Sequence, residues 1–360
     1  MKRFDLHNHT RESNNPPEHW IARLAGSREC YLKPQDSHYH ATRVRGLDGL
    51  AITNHDSIDD ALAMQDRHPE SVIAGCEYTV NAGEGYQIHV VVLDINRTIH
   101  RKLDRARHLG LEQFVPIVRD ADLPYFLAHV AWSFFSEKPL TPETVERWIL
   151  QFDCLETRNS TRMLENVFAT RLARYYGKYE VGGSDGHELT SIGRAWTESP
   201  TANSKEEFLE DLKAGRVRPG GEHGSVARFR KTILRLAAGH YRDQIEEALD
   251  SQKRGAFLQE QGLGSLLRIV GSLYFLPNLW LSSHIGAVRH QSEMQVDTLR
   301  LTREFRDYLR NRETERILSD PSRSKKEQRD LWEDQMTRIE RAFGHSLEEG
   351  DIDMKDVLLT

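Results

Sequence analysis

Seven short runs of aliphatic and β-branched residues recur between Arg3 and Gly182, with helix-like stretches between them. They are Arg3 to Leu6, Gly49 to Thr53, Ser71 to Ala74, Ile88 to Leu93, Tyr125 to Ala128, Cys154 to Thr157 and Tyr179 to Gly182. Runs this short suit buried strands, and strands that alternate with helices pair in parallel, because each return crossing is long enough to be a helix. Asp36 to Arg45 and Pro142 to Gln151 read as two such crossings. The second opens with Thr141 as N-cap and Pro142 at the first helical position, where a missing N–H is no loss. The pattern predicts an α/β domain whose parallel sheet is open or closed into a barrel.

Past Gly220-Gly221 the strand signals give way to long charged helical patterns, which sets a boundary near Ser225: an α/β domain over 1–225 and a helical region over 226–360. A chain of 360 residues is long enough for such a division. Leu301, Phe305 and Tyr308 share one helix face, as do Trp332, Met336, Ile339 and Phe343. These stripes read as packing faces, available for self-association, with Ser319 to Gln328 as a connector. No Asp, Glu, Lys or Arg lies between Arg268 and Arg289, close to the length of a membrane span, but Pro277-Asn278 breaks the run. Buried helices or a subunit interface are the better reading.

The start of the chain is charged and histidine-rich where an export signal would be apolar, so a cytoplasmic protein is expected. Cys30, Cys76 and Cys154 are widely spaced and form no Cys-x-x-Cys pair, which argues against a disulfide frame and against thiolate zinc. A net charge of −6 gives no general attraction to nucleic acid or to an anionic membrane.

The chemistry lies where the runs end. Asp5, His7 and His9 alternate along extended chain and project to one face, so two imidazoles can clamp one divalent ion while Asp5 orients a ligand. Later runs bring Asn54-His55-Asp56, Glu77, His89, His129 and Asp185-Gly186-His187. Each lies at or near the carboxyl end of a strand, where parallel α/β folds place their sites. Nitrogen and carboxylate donors without thiolate suit Zn, Mn or Fe, and their number exceeds what one ion needs. Arg194 can anchor a phosphate, Asn159 lies at a further strand end, and Arg216, in the Gly-rich segment 215–223, can line the mouth of the site.

Over residues 1–225 these motifs resemble the polymerase and histidinol phosphatase (PHP) family of metal-dependent phosphoesterases. The resemblance implies a distorted (β/α)7, amidohydrolase-like barrel with a C-terminal all-helical extension, and two or three divalent ions of Mn, Zn or Fe. It implies His7, His9, His55, Glu77, His89, His129, Asp185 and His187 as metal ligands. Glu77, Asp185, His187 and Arg194 are the candidate catalytic residues, with His129 and Asp56 as further proton carriers. The strings Pro17 to Trp20, Arg28 to Tyr31 and Ser191 to Arg194 resemble a subgroup related to glycosyltransferase-linked PHP proteins.

Two positions depart from the family pattern. Ser13-Asn14-Asn15 stands where the first motif supplies one more ligand, and Asn54 stands where Asp commonly precedes His55; Glu12, Glu18 and His19 are candidate substitutes. The implied activity is hydrolysis of a phosphodiester or phosphomonoester by a metal-bridging hydroxide, on a phosphorylated small molecule or short nucleic acid. The competing readings are a catalytically weakened metal-binding scaffold with a partner-recruiting helical tail, and an amidohydrolase-type reaction.

Overall fold

The computed structural model describes residues 1–13, 28–131, 139–225 and 295–344, with scattered positions between 228 and 243. Every anticipated strand forms: β1 (Lys2–Asp5), β2 (Gly49–Ile52), β3 (Val72–Asn81), β4 (Gln87–Leu93), β5 (Tyr125–Leu127), β6 (Cys154–Asn159) and β7 (Tyr179–Gly183). They lie side by side in chain order, and β8 (Ala195–Ser199) and β9 (Arg218–Gly221) extend the sheet beyond β1.

The sheet departs from the expected parallel order at one strand: β4 runs antiparallel to both β3 and β5. The cause is the short link from Ala82 to Tyr86, in which Gly83, Glu84 and Gly85 all take positive φ. Such a link turns the chain into a hairpin and leaves no room for a crossover helix. Neither β8 nor β9 was anticipated. Pro219 and two glycines give β9 little strand character, and proline is tolerated there because the strand ends the hydrogen-bonded order.

The sheet curls until β7 meets the end of β1. The Asp185 amide donates to the His7 carbonyl at 2.8 Å, and the His9 amide donates to the Gly186 carbonyl at 3.1 Å. A Cβ on Gly183 would stand 2.4 Å from the His7 Cβ, so the seam closes only around glycine. The result is a nearly closed, distorted barrel of mixed α/β construction. Its interior holds Phe4, Leu6, Ala51, Ile73, Val91, Phe126 and Val181, and Phe208, Leu209 and Leu212 of helix Lys205–Lys213 join the same cluster. That helix lies at the starts of the strands, since Lys205 Nζ donates to the Val72 carbonyl. The opposite, carboxyl end is left to the polar residues.

Outside the barrel, Cys76, Tyr78 and Val80 of β3 pack with Leu111, Phe114, Val115 and Val118, an i, i+3, i+4, i+7 stripe on helix Leu111–Asp120. The same cluster takes in the C-terminal helices. Leu301, Phe305 and Leu309 of the helix over residues 295–318 and Met336, Ile339 and Phe343 of helix Lys325–Phe343 are buried in it. Phe305 meets Phe168 and Phe343 meets Tyr175, both on helix Leu164–Tyr176. The second C-terminal helix begins earlier than the sequence suggested because Ser324 and Glu327 form a capping box. No helix among the described residues is long and apolar enough to cross a membrane. The uncharged run from Arg268 to Arg289 lies outside the described residues.

Candidate metal centre

Six histidines and two carboxylates predicted from the strand ends converge at the carboxyl mouth of the barrel, and Glu77 is their hub. Its Oε1 lies 2.7 Å from His89 Nδ1 and 3.1 Å from His129 Nε2. Its Oε2 lies 3.0 Å from His7 Nε2, 3.1 Å from His9 Nε2 and 3.3 Å from His55 Nε2. Asp185 Oδ1 lies 3.5 Å from both His9 Nε2 and His187 Nδ1. All of these side chains but His187 are buried.

Local structure explains the convergence. His7 and His9 follow β1 as its extended course continues, with Asn8 bridging in parallel to Gly186. His55 follows β2 and bridges to Glu77. Asp56, His129 and Asp185 take positive φ, a conformation that side-chain-bearing residues avoid and that recurs at functional sites. His89 reaches the same mouth by another route. It lies near the start of β4, paired with Thr79, and meets the site because that strand is reversed.

Two sequence-based roles are corrected. Asp5 orients no imidazole. Its Oδ1 accepts from the Ser184 amide and its Oδ2 from the Gly193 amide, both at 2.7 Å, so it fastens β1 to the chain after β7. Burial pushes its pKa up to about 6 against those hydrogen bonds. Asn54 is not a failed carboxylate ligand: its Oδ1 accepts from the Thr10 amide at 2.7 Å while its Nδ2 donates to the Thr10 hydroxyl. An amide serves both bonds where an ionised Asp can only accept.

The arginines also differ from expectation. Arg194 donates to the Thr190 carbonyl and pairs with Glu222, while Arg216 pairs with Asp211 of helix Lys205–Lys213. The guanidinium found beside a carboxylate of the cluster is that of Arg162, 3.5 Å from Asp185 Oδ2. Asn159 Nδ2 lies 3.4 Å from the same oxygen, and the Thr161 hydroxyl donates to it at 3.1 Å. Two carboxylates were missed as site residues. Glu156 Oε1 lies 3.0 Å from His7 Nδ1 and its Oε2 accepts from the His129 amide; the inward alternation of β6 could have singled it out. Glu29 lies 2.6 Å from His187 Nε2 and 3.2 Å from His55 Nε2, in a stretch outside the named strands and helices where no periodicity points to it. Asn14, Asn15, Glu18, His19 and the string from Pro17 to Trp20 lie outside the described residues.

The electrostatics are those of a cation site. Burial alone would lower the His7 pKa, but Glu77, Glu156 and Asp185 outweigh it and hold the value well above the usual range. Burial likewise opposes the charge on His55, yet Glu29 and Glu77 raise it to about 10. Burial lowers His89 to about 4. Burial would raise Glu77, but His55, His7 and His89 keep it well below the usual carboxylate range. Four overlapping triads bring potential ligand atoms within 4.8 Å of one another: His7-Glu77-His129, His55-Glu77-His89, His7-His9-Asp185 and His9-His55-His187. His9 Nε2, His55 Nδ1 and Glu29 Oε2 are buried without a hydrogen bond, which is uncommon for polar atoms. Imidazole and carboxylate donors so arranged fit divalent metal ions.

No curated protein sequence matches the chain. Solved structures that align with it include a Bifidobacterium adolescentis protein provisionally described as a metal-dependent phosphoesterase, at 14% identity and a TM-score of 0.41, covering 60% of this chain and 96% of that one. An amidohydrolase from Chromobacterium violaceum aligns at 18% identity and a TM-score of 0.40, covering 60% and 97%. PsfC from Pseudomonas syringae aligns at 15% identity and a TM-score of 0.44, covering 67% and 99%. Residues 164–217 match the family model described as PHP-associated. That segment runs from the helix after β6 to the edge of β9 and carries Asp185 and His187, the last of the strand-end ligand positions. Over residues 164–217 the chain is similar to PHP-associated proteins.

Proposed function

We propose that this centre hydrolyses phosphate esters, with two or three Mn, Zn or Fe ions as its cofactors and a nucleotide, short oligonucleotide or related small phosphate as substrate. The observation that carries the reading is Glu77, whose two oxygens lie between 2.7 and 3.3 Å from ring nitrogens of five histidines. One oxygen faces His89 and His129, the other His7, His9 and His55, the division expected of a carboxylate shared by two ions. When bound, the ions supply Lewis acidity and lower the pKa of a coordinated water.

The protein's own groups complete the chemistry. Asp185 joins the His7-His9 side to His187 and so fixes the spacing of the centre. Arg162 presents a guanidinium beside Asp185, where it can hold a phosphate oxygen whose charge grows in the transition state. His187 is the ligand-set histidine with the most exposed side chain, 16% against 3% or less for the others, so it marks the side on which substrate reaches the centre.

The test is hydrolysis of a panel of phosphomonoesters, phosphodiesters, short oligonucleotides and amides with Mn²⁺ or Zn²⁺ supplied, using His55→Ala and Asp185→Ala as controls. Phosphate ester turnover lost in both variants supports the proposal. Turnover of amides alone replaces it with an amidohydrolase reading. No turnover from a folded, metal-loaded protein replaces it with a metal-stabilised scaffold.

A further inference from the structure

We propose that Glu29 is a metal ligand, completing with His55 and His187 a site beside the one centred on Glu77. The proposal rests on the metal-binding part of the functional reading and not on phosphate chemistry.

Of the four triads, His7-Glu77-His129, His55-Glu77-His89 and His7-His9-Asp185 each contain a carboxylate, whereas His9-His55-His187 is three neutral donors. Its rings are stacked, with the His9 centroid 4.6 Å from that of His55 and 4.2 Å from that of His187. Three imidazoles supply no negative charge to balance a dication in a buried setting, so this triad by itself is the poorest of the four. Glu29 supplies what it lacks. One carboxylate oxygen lies 2.6 Å from His187 Nε2 and 3.2 Å from His55 Nε2, and the other is buried with no hydrogen bond.

The position is held by its neighbour. The buried Cys30 sulfur lies 3.4 Å from the carbonyl oxygens of both His9 and His187, with one S–H shared between them, and so holds the segment between the two turns that carry those ligands. The Arg11 amide donates to the Leu32 carbonyl at 2.8 Å and fixes the other side of the segment. Burial drives the Cys30 thiol pKa up, so it remains a neutral anchor. The sequence after His9 reads Ser13-Asn14-Asn15, weak ligands all, and Glu29 brings a carboxylate to the mouth from a different part of the chain.

The test counts metal. Chelator-stripped protein is titrated with Zn²⁺ or Mn²⁺ alone, and bound equivalents are measured by elemental analysis after equilibrium dialysis. The comparison is among the unaltered chain, Glu29→Gln, His187→Ala and the double variant, each checked for native circular dichroism. Glu29→Gln should lose one equivalent, or bind it at least about tenfold more weakly, while the tighter equivalents are unchanged. His187→Ala should lose the same equivalent, and the double variant no more than either single one. Unchanged stoichiometry and affinity in Glu29→Gln would make the residue a hydrogen-bond partner only and overturn the proposal. So would loss of every equivalent from a folded variant. Absence of phosphatase activity in the unaltered chain would sink the functional reading and leave this count intact.

Discussion

Glu77 Oε1 stands 2.7 Å from His89 Nδ1, although the two residues arrive on antiparallel strands and Glu77 pairs in the ladder with Val91, not with His89. A carboxylate surrounded by buried imidazoles holds the centre together whether the charge it faces is a proton or a metal. Glu77→Gln keeps the shape and removes the charge. Without metal, this variant should be destabilised by about 3 kcal/mol, the lower range for breaking one side of a buried ion pair. Urea denaturation of chelator-treated protein checks this. Metal affinity should fall by roughly a hundredfold or more.

Metal binding should release protons. With burial outweighed by neighbouring carboxylates, His7 is held well above its usual pKa and His55 at about 10, so in metal-free protein both are protonated at neutral pH. A ligand imidazole must be neutral, so affinity should rise with pH up to the region of the His55 value. His89, lowered to about 4 by burial, is already neutral and contributes no proton. The sign for stability is opposite. A raised histidine pKa stabilises the metal-free fold below the ordinary value of 6.5, and that contribution is lost as pH climbs through about 10. Calorimetric titration in two buffers of different ionisation enthalpy counts the protons, and equal heats in both would exclude their release.

The barrel seam admits no side chain at Gly183. Alanine there would place a Cβ 2.4 Å from the His7 Cβ and 2.8 Å from its amide nitrogen. Gly183→Ala should cost about 1–3 kcal/mol through forced displacement and lower metal content, because His7 itself must move. A variant with native stability and full metal would show that the seam is slack.

One of the polar ties between the C-terminal helices and the barrel is a buried carboxylate on helix Pro142–Ile149. Glu146 accepts from the hydroxyls of Tyr176 and Tyr308 and pairs with Arg312. Glu146→Ala should destabilise the chain by about 2 kcal/mol, chiefly through the tyrosine bonds, since the partly exposed Arg312 is screened. Limited proteolysis should then cut faster around residues 319–324, between the two helices, with metal content unchanged. Unaltered cleavage would place the docking energy in the apolar face instead.

The two arginines can be separated by kinetics. Arg162→Met should raise KM for a phosphate substrate about tenfold or more, whereas Arg194→Met, engaged with Thr190 and Glu222, should change it little. The reverse result would restore the phosphate-anchoring role that the sequence suggested for Arg194.

Much of this was legible without a structure because strand-end chemistry is local. A short apolar run that stops at His, Asp or Glu defines both a strand and the side chain at its mouth, and this found His7, His9, His55, His129, Asp185 and His187; Glu77 was reached from the run Ser71 to Ala74, although β3 continues past it to Asn81, and the structure brings all of them together. His89 was found for a partly different reason, since its strand runs the other way. Glu156 sits within β6, where only the inward alternation of the strand marks it, and Arg162 lies in the turn after it with no signal that separates it from ordinary polar residues. Asn54 looked like a degraded ligand because sequence shows which atoms a side chain has, not which partners it meets.

The sequence by itself determined the alternation of strands and helices, the donor chemistry of the centre and the apolar stripes of the C-terminal helices, because each depends on residue type and spacing along a few turns or strands. Only the tertiary structure decided that β4 reverses, that Asp5 fastens the barrel seam, that Arg194 faces Glu222 and that Glu29 stands between His55 and His187. Those outcomes depend on contacts between residues far apart in the chain, and they are fixed only when the sheet closes and brings separate segments to one mouth.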